Sequence, residues 1–138
     1  MKNEAIALLE KTGLRKTPTR IEILSLFLES LKAFSLSDVE VLFGDNCDRS
    51  TIFRTLEVLT EGVLLEKFID SKGVNVYVSH NHHGNCSKNN HFHFKCESCQ
   101  NVTSLPNLPE NYMAILGKHR VKTLNLMVEG TCEDCQYL

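Results

Sequence analysis

Four thiols stand in two pairs, Cys96-x-x-Cys99 and Cys132-x-x-Cys135, with thirty-two residues between the pairs. Two residues between cysteines let both sulfurs of one turn reach a single ion, and two such turns supply the four thiolates of a closed tetrahedral zinc site. A closed site leaves no coordination position for substrate, so its expected role is structural. It supplies folding energy to a half-protein of about 50 residues that would otherwise lack a sufficient core. A redox pair, or four unrelated thiols, is the competing reading. The position of both pairs at the edges of predicted strands favours zinc.

A second group of possible ligands lies just upstream. His91 and His93 are two apart on a predicted strand, so both point to one face while Phe92 and Phe94 point to the other, toward a core. His80, His82, His83 and Cys86 precede them, which places five of the six histidines within residues 80–93. Imidazole with thiolate favours zinc, with cobalt, nickel or ferrous iron as alternatives. The candidate regulatory set is His80, Cys86, His91 and His93, with His82 and His83 as alternates. An exposed polar loop whose histidines bind nothing is the plainer reading, and the crowding beside a zinc turn argues against it. Cys47 and His119 stand apart and read as a small residue before a helix and a surface residue.

Formal net charge is −2, so the chain as a whole does not advertise nucleic-acid binding. Its basic residues are locally concentrated: Lys11, Arg15, Lys16 and Arg20 follow one another with no acid between them. A second concentration falls on "RSTIFRTLEVL", where Arg49, Ser50, Thr51, Phe53 and Arg54 occupy the start of a predicted helix. Arginine suits phosphates or guanine edges, hydroxyls suit phosphates, and an exposed aromatic ring packs on a thymine methyl. Phe53 as a core residue and Arg54 as a solvated charge would be the bland equivalents.

Positioning these residues requires an α+β chain. Apolar residues at 5, 6, 8 and 9 before Gly13 suit a first helix, and Thr17-Pro18 caps a second that buries Ile21, Leu24, Phe27 and Leu28. Ser35 or Ser37 begins a third, ending at Gly44. Asp48 or Ser50 caps a fourth, which stops at Gly62. "VLLEKFIDSKGVNVYVS" then alternates around an Asp-Ser-Lys-Gly turn as a hairpin. Four helices and a two-stranded wing make a winged helix-turn-helix over residues 1–79, with residues 50–61 as recognition helix. The polar stretch at 80–90 reads as a hinge. Residues 91–138 follow with strands at "HFHFKC" and "VTSL", a helix at "PENYMAILGKHR" and a strand at "VKTLNLMVEGTC", forming a small zinc-binding α/β domain.

The sequence has no apolar run of membrane-spanning length and no secretory leader pattern at its start, which predicts a cytoplasmic protein. Reducing surroundings in turn leave the thiols for metal. Catalysis is not expected: there is no HExxH, and Glu97, inside the first cysteine turn, is badly placed for a general base. No small-molecule substrate is implied.

Several stretches together resemble the ferric uptake regulator family: "LLEKTGLRKTPTRIEIL", "STIFRTLEVLTEGVLLEK", "HFHFKCESCQNV" and "GTCEDC", in the family's order over nearly the whole chain. The resemblance implies a homodimeric, metal-responsive transcriptional repressor acting on a palindromic double-stranded DNA operator, with the C-terminal domain as dimerisation domain. It implies structural zinc on Cys96, Cys99, Cys132 and Cys135, a regulatory metal at His91 and His93, and DNA contacts by Arg15, Phe53 and Arg54. Phe53 stands where the family usually has tyrosine. Four further departures bear on the metal: Phe92 replaces an aspartate, Ala33 or Phe34 a histidine, Ser104 an acidic residue and Leu124 a histidine. Oxygen ligands are therefore scarce, which favours zinc over ferrous iron as the sensed ion. An iron- or peroxide-responsive regulator, or a zinc-buffering protein that does not bind DNA, are the alternatives.

Overall fold

The computed structural model describes residues 1–30, 32–80, 90–106, 108–122 and 124–137, and only the backbone of Asn90, His91 and Asn125. His82, His83, Cys86 and most of the expected hinge fall outside the described residues. The chain divides into two compact units, Met1–His82 and His83–Leu138.

The first unit opens with α1 (Lys2–Lys11), and Gly13 follows at φ +74°, the left-handed turn expected of glycine after a helix. α2 (Pro18–Glu29) starts as its sequence dictates: Thr17 accepts from the Arg20 N–H at 3.2 Å, and Pro18 occupies the first turn. A two-residue strand, β1 (Phe34–Ser35), leads into α3 (Leu36–Phe43). Ser35 resolves the choice of cap, because its hydroxyl accepts from the Asp38 N–H while the Asp38 carboxylate accepts from the Ser35 N–H. α4 (Arg49–Glu61) buries Ile52, Thr55, Leu56 and Leu59 against Ile23, Leu24, Phe27 and Leu28 of α2. This is one stripe of a 3.6-residue period meeting another.

The wing is wider than the expected hairpin. β2 (Leu65–Ile69) and β3 (Asn75–Ser79) pair antiparallel, and β1 adds a third strand on the far side of β3. Two residues are too short a strand to read from periodicity. Phe34 holds it in place, its ring edge-on to Phe27 at 5.4 Å. At the wing turn the Asp70 carboxylate accepts from the Lys72 and Val74 N–H groups, both at 2.9 Å, with Gly73 at φ +80°.

The second unit is a three-stranded sheet with α5 (Glu110–Leu116) in its crossover. β4 (Asn90–Cys96) lies centrally, antiparallel to β5 (Val102–Ser104) and parallel to β6 (Leu124–Gly130). A parallel pair needs a long connection, and the segment from β5 through α5 supplies it. Among the described residues no helix is long and apolar enough to cross a membrane.

Candidate metal centre and nucleic-acid interface

The two cysteine pairs meet. The sulfurs of Cys96, Cys99, Cys132 and Cys135 all lie within 4.8 Å of one another, and those of Cys99 and Cys132 are 3.9 Å apart. A tetrahedron with zinc–sulfur bonds of about 2.3 Å has sulfurs about 3.8 Å apart, so the cluster has the dimensions of a zinc site. Local backbone brings this about. The chain turns after Cys96 with Gln100 at φ 66°, and the Gln100 N–H donates to the Cys96 carbonyl at 3.0 Å. The Cys99 N–H then points at the Cys96 sulfur, 3.5 Å away. β6 runs beside β4 and delivers the second pair, so that the Cys132 N–H reaches the same sulfur at 3.4 Å. These N–H groups, that of Cys99 foremost, lower the Cys96 thiol to about 6. Cys135 is pushed up to about 12, chiefly by its hydrogen bond with the Cys132 sulfur. Four sulfurs at one point, one of them readily ionised, fit a divalent ion such as zinc.

The histidine group is only partly described. His93 is fully buried in β4, as are Phe92 and, nearly so, Lys95. The expected division put Phe92 and Phe94 on a core face and His91 and His93 on a metal-binding face; the strand is buried on both sides, at Phe92 on one and at His93 and Lys95 on the other. Phe94 is the half-buried one. His80, at the end of β3, places its Nδ1 2.6 Å from Glu66 Oε1. Glu66 is 4% exposed, a carboxylate inside the protein beside an imidazole. Sequence reasoning missed Glu66, since a lone acid on a wing strand carries no spacing pattern.

The other candidate surface lies on the recognition helix. Phe53 and Arg54 project from α4, Phe53 with 46% of its surface exposed. Arg54, Thr51 and Thr55 line an open groove of about 390 Å³ with Thr17, Thr19 and Arg20 from the start of α2. Other expected contacts are engaged within the chain. Arg49 pairs with Glu40 at 3.0 Å, and Lys16 with Glu10 at 2.6 Å. Ser50 and Thr51 donate their hydroxyls to the Asp48 carboxylate at 2.6 and 2.5 Å, and these bonds, that of Ser50 first, hold the Asp48 carboxyl below its usual range. Arg15 is exposed, with its carbonyl accepting from the Arg20 guanidinium at 3.0 Å. Cys47 is half-buried against the core and His119 is exposed.

The sequence profile described as the ferric uptake regulator family matches residues 11–130. The chain belongs to the ferric uptake regulator family. Within that family it is similar to a zinc uptake regulation protein from Mycobacterium tuberculosis, 28% identical over 132 residues, covering 90% of this chain and 96% of the relative. It is also similar to a ferric uptake regulation protein from Staphylococcus aureus, 27% identical over 139 residues with 97% of each chain covered. A solved zinc uptake regulator, in complex with zinc and DNA, shares the fold with a TM-score of 0.74 at 21% identity, covering 99% of this chain and 93% of that one. The winged helix joined to a small α/β unit is thus the family architecture.

Proposed function

We propose that this chain is a metal-dependent, DNA-binding transcriptional repressor of metal homeostasis, with zinc as the sensed ion. The observation that carries the reading is the presence in one chain of a four-cysteine cluster of zinc-site dimensions and a recognition helix with Phe53 and Arg54 exposed. The cluster has no open position for substrate, which supports a structural ion and a regulator without catalysis. The zinc-named relative and the zinc-dimensioned cluster support zinc over iron.

Cys96, Cys99, Cys132 and Cys135 would hold the structural zinc. The regulatory ion would use His80, Cys86, His91 and His93, with His82 and His83 as alternates, and Glu66 joins this set because it already touches His80. One carboxylate among imidazoles remains within zinc's range of ligands. When bound, the ion supplies a fixed charge that holds its ligands in one arrangement. Residues 1–79 act as the DNA-binding domain, 80–90 as the hinge and 91–138 as the dimerisation domain. Homodimerisation is supported by apolar surface the second unit leaves uncovered: Tyr112 and Ile115 on α5 are 54% and 59% exposed, and Leu126 and Val128 lie on the edge strand β6. A dimer presents two recognition helices, which suits a palindromic operator in the cytoplasm. Arg15, Arg20, Phe53 and Arg54 make the DNA contacts, with Arg49, Ser50 and Thr51 at the helix start.

Mobility-shift titration on a duplex enriched from a randomised pool tests the reading. Zinc tightens binding, chelator weakens it, and ferrous iron and manganese act more weakly; equal affinity under all conditions overturns it.

A further inference from the structure

The wing sheet has two working faces. Consecutive residues of a strand point to opposite sides, so Glu66 and Lys67 on β2 face apart. On one side the Glu66 carboxylate holds His80, which directly follows β3. On the other side Lys67 Nζ lies 3.2 Å from the Glu57 carboxylate of the recognition helix, and the Tyr77 hydroxyl donates to the same carboxylate at 3.0 Å. Lys67 and Tyr77 are directly opposite each other across the β2–β3 ladder, one register position from the Glu66–Val78 pair. Glu57 is therefore gripped by both strands that carry the metal-side pair.

The grip has the properties of a positioning contact. Tyr77 is 1% exposed, and burial together with the Glu57 carboxylate raises its hydroxyl well above the ordinary range, keeping it a donor at any physiological pH. Glu57 lies one helical turn beyond Phe53 and Arg54, on the helix that presents them. A shift of β2 against β3 on the His80 side thus changes the position of both groups that hold the helix.

We propose that Tyr77, Glu57 and Lys67 form a positioning link that carries the state of the Glu66–His80 pair to the recognition helix. Tyr77 and Glu57 are then positioning residues for DNA recognition, bound to neither metal nor base. The proposal rests on the metal-dependent reading above. Coupling between two sites is a ratio of affinities, and the link acts on that ratio.

Tyr77→Phe removes one hydroxyl and keeps the buried ring, so the fold is preserved. Glu57→Gln keeps an acceptor for Tyr77 and removes the ion pair with Lys67. Affinity for the enriched duplex is measured for the full-length protein with saturating zinc and with chelator, and zinc affinity is measured by competition with a chromogenic indicator. In Tyr77→Phe the zinc-induced gain in DNA affinity falls about 10–100-fold, as expected for loss of one hydrogen bond to a charged group, while zinc affinity without DNA is retained. Glu57→Gln retains part of the gain. Equal weakening with and without zinc in Tyr77→Phe, or no change in either, overturns the link while leaving the repressor reading intact. A wild-type protein whose DNA affinity ignores zinc overturns both.

Discussion

The backbone N–H of Cys132 donates to the sulfur of Cys96 at 3.4 Å, across thirty-six residues of chain. Each cysteine turn thus completes the other's electrostatic surroundings, and the second unit is closed at this point. Cys96→Ser should remove one zinc per protomer and unfold that unit, since binding energy at such a site is folding energy. Metal analysis with limited proteolysis checks this: residues 1–79 survive as a resistant fragment while the C-terminal unit is digested.

Zinc loading of the stripped protein should release close to four protons per zinc at pH 7, because the four thiols must ionise to ligate and an unfolded unit holds them near the ordinary thiol value of about 8.5. Release should fall as pH rises through about 8.5, where the free thiols are already ionised. A pH indicator in weak buffer checks the count, and release of fewer than about two protons at pH 7 contradicts a four-cysteine site.

The recognition helix yields a contrast between two arginines. Arg54→Ala should weaken operator binding by about 10–100-fold and relax preference at the base it meets. Arg49→Ala, whose guanidinium is held by Glu40, should change affinity by no more than about threefold, near the value of an exposed ion pair. Quantitative mobility shifts on one duplex decide both.

Glu66→Gln should weaken the removable zinc by about 10–100-fold, the usual effect of disturbing a ligand or its hydrogen-bond partner, and leave the structural zinc in place. His91→Ala combined with His93→Ala should give a folded dimer without metal response. Because His93 is fully buried, that variant also melts several degrees lower. Zinc counts after mild chelation, and thermal melts, separate the two effects.

The helices were legible because their caps and apolar stripes are local: Thr17-Pro18, Ser35 with Asp38, and Ile52–Leu56–Leu59 each follow from neighbours along the chain. The cysteine cluster was legible because spacing within each pair is fixed by the ion. What escaped depends on long-range placement. Glu66 acquires meaning only because β3 returns His80 to its side, and β1 forms where Phe34 and Ser35 pair with Tyr77 and Val76 of β3. The burial of His93 likewise depends on what packs over the sheet, which alternation along one strand does not encode.

Gly62 ends the recognition helix, yet the left-handed turn falls on the next residue, Val63, at φ 62°. At 62 the packing is close instead: a Cβ there would come within 2.9 Å of Leu14 Cδ1, the end of a side chain that would have to shift. Leu14 immediately precedes Arg15, so the far end of α4 seats the residue before the basic arm. The eight residues from Arg54 to Gly62 span about 12 Å of helix, and that rod sets the interval between Arg54 and the Leu14 contact that precedes Arg15. The protein thus carries a ruler, and the operator has to fit its length.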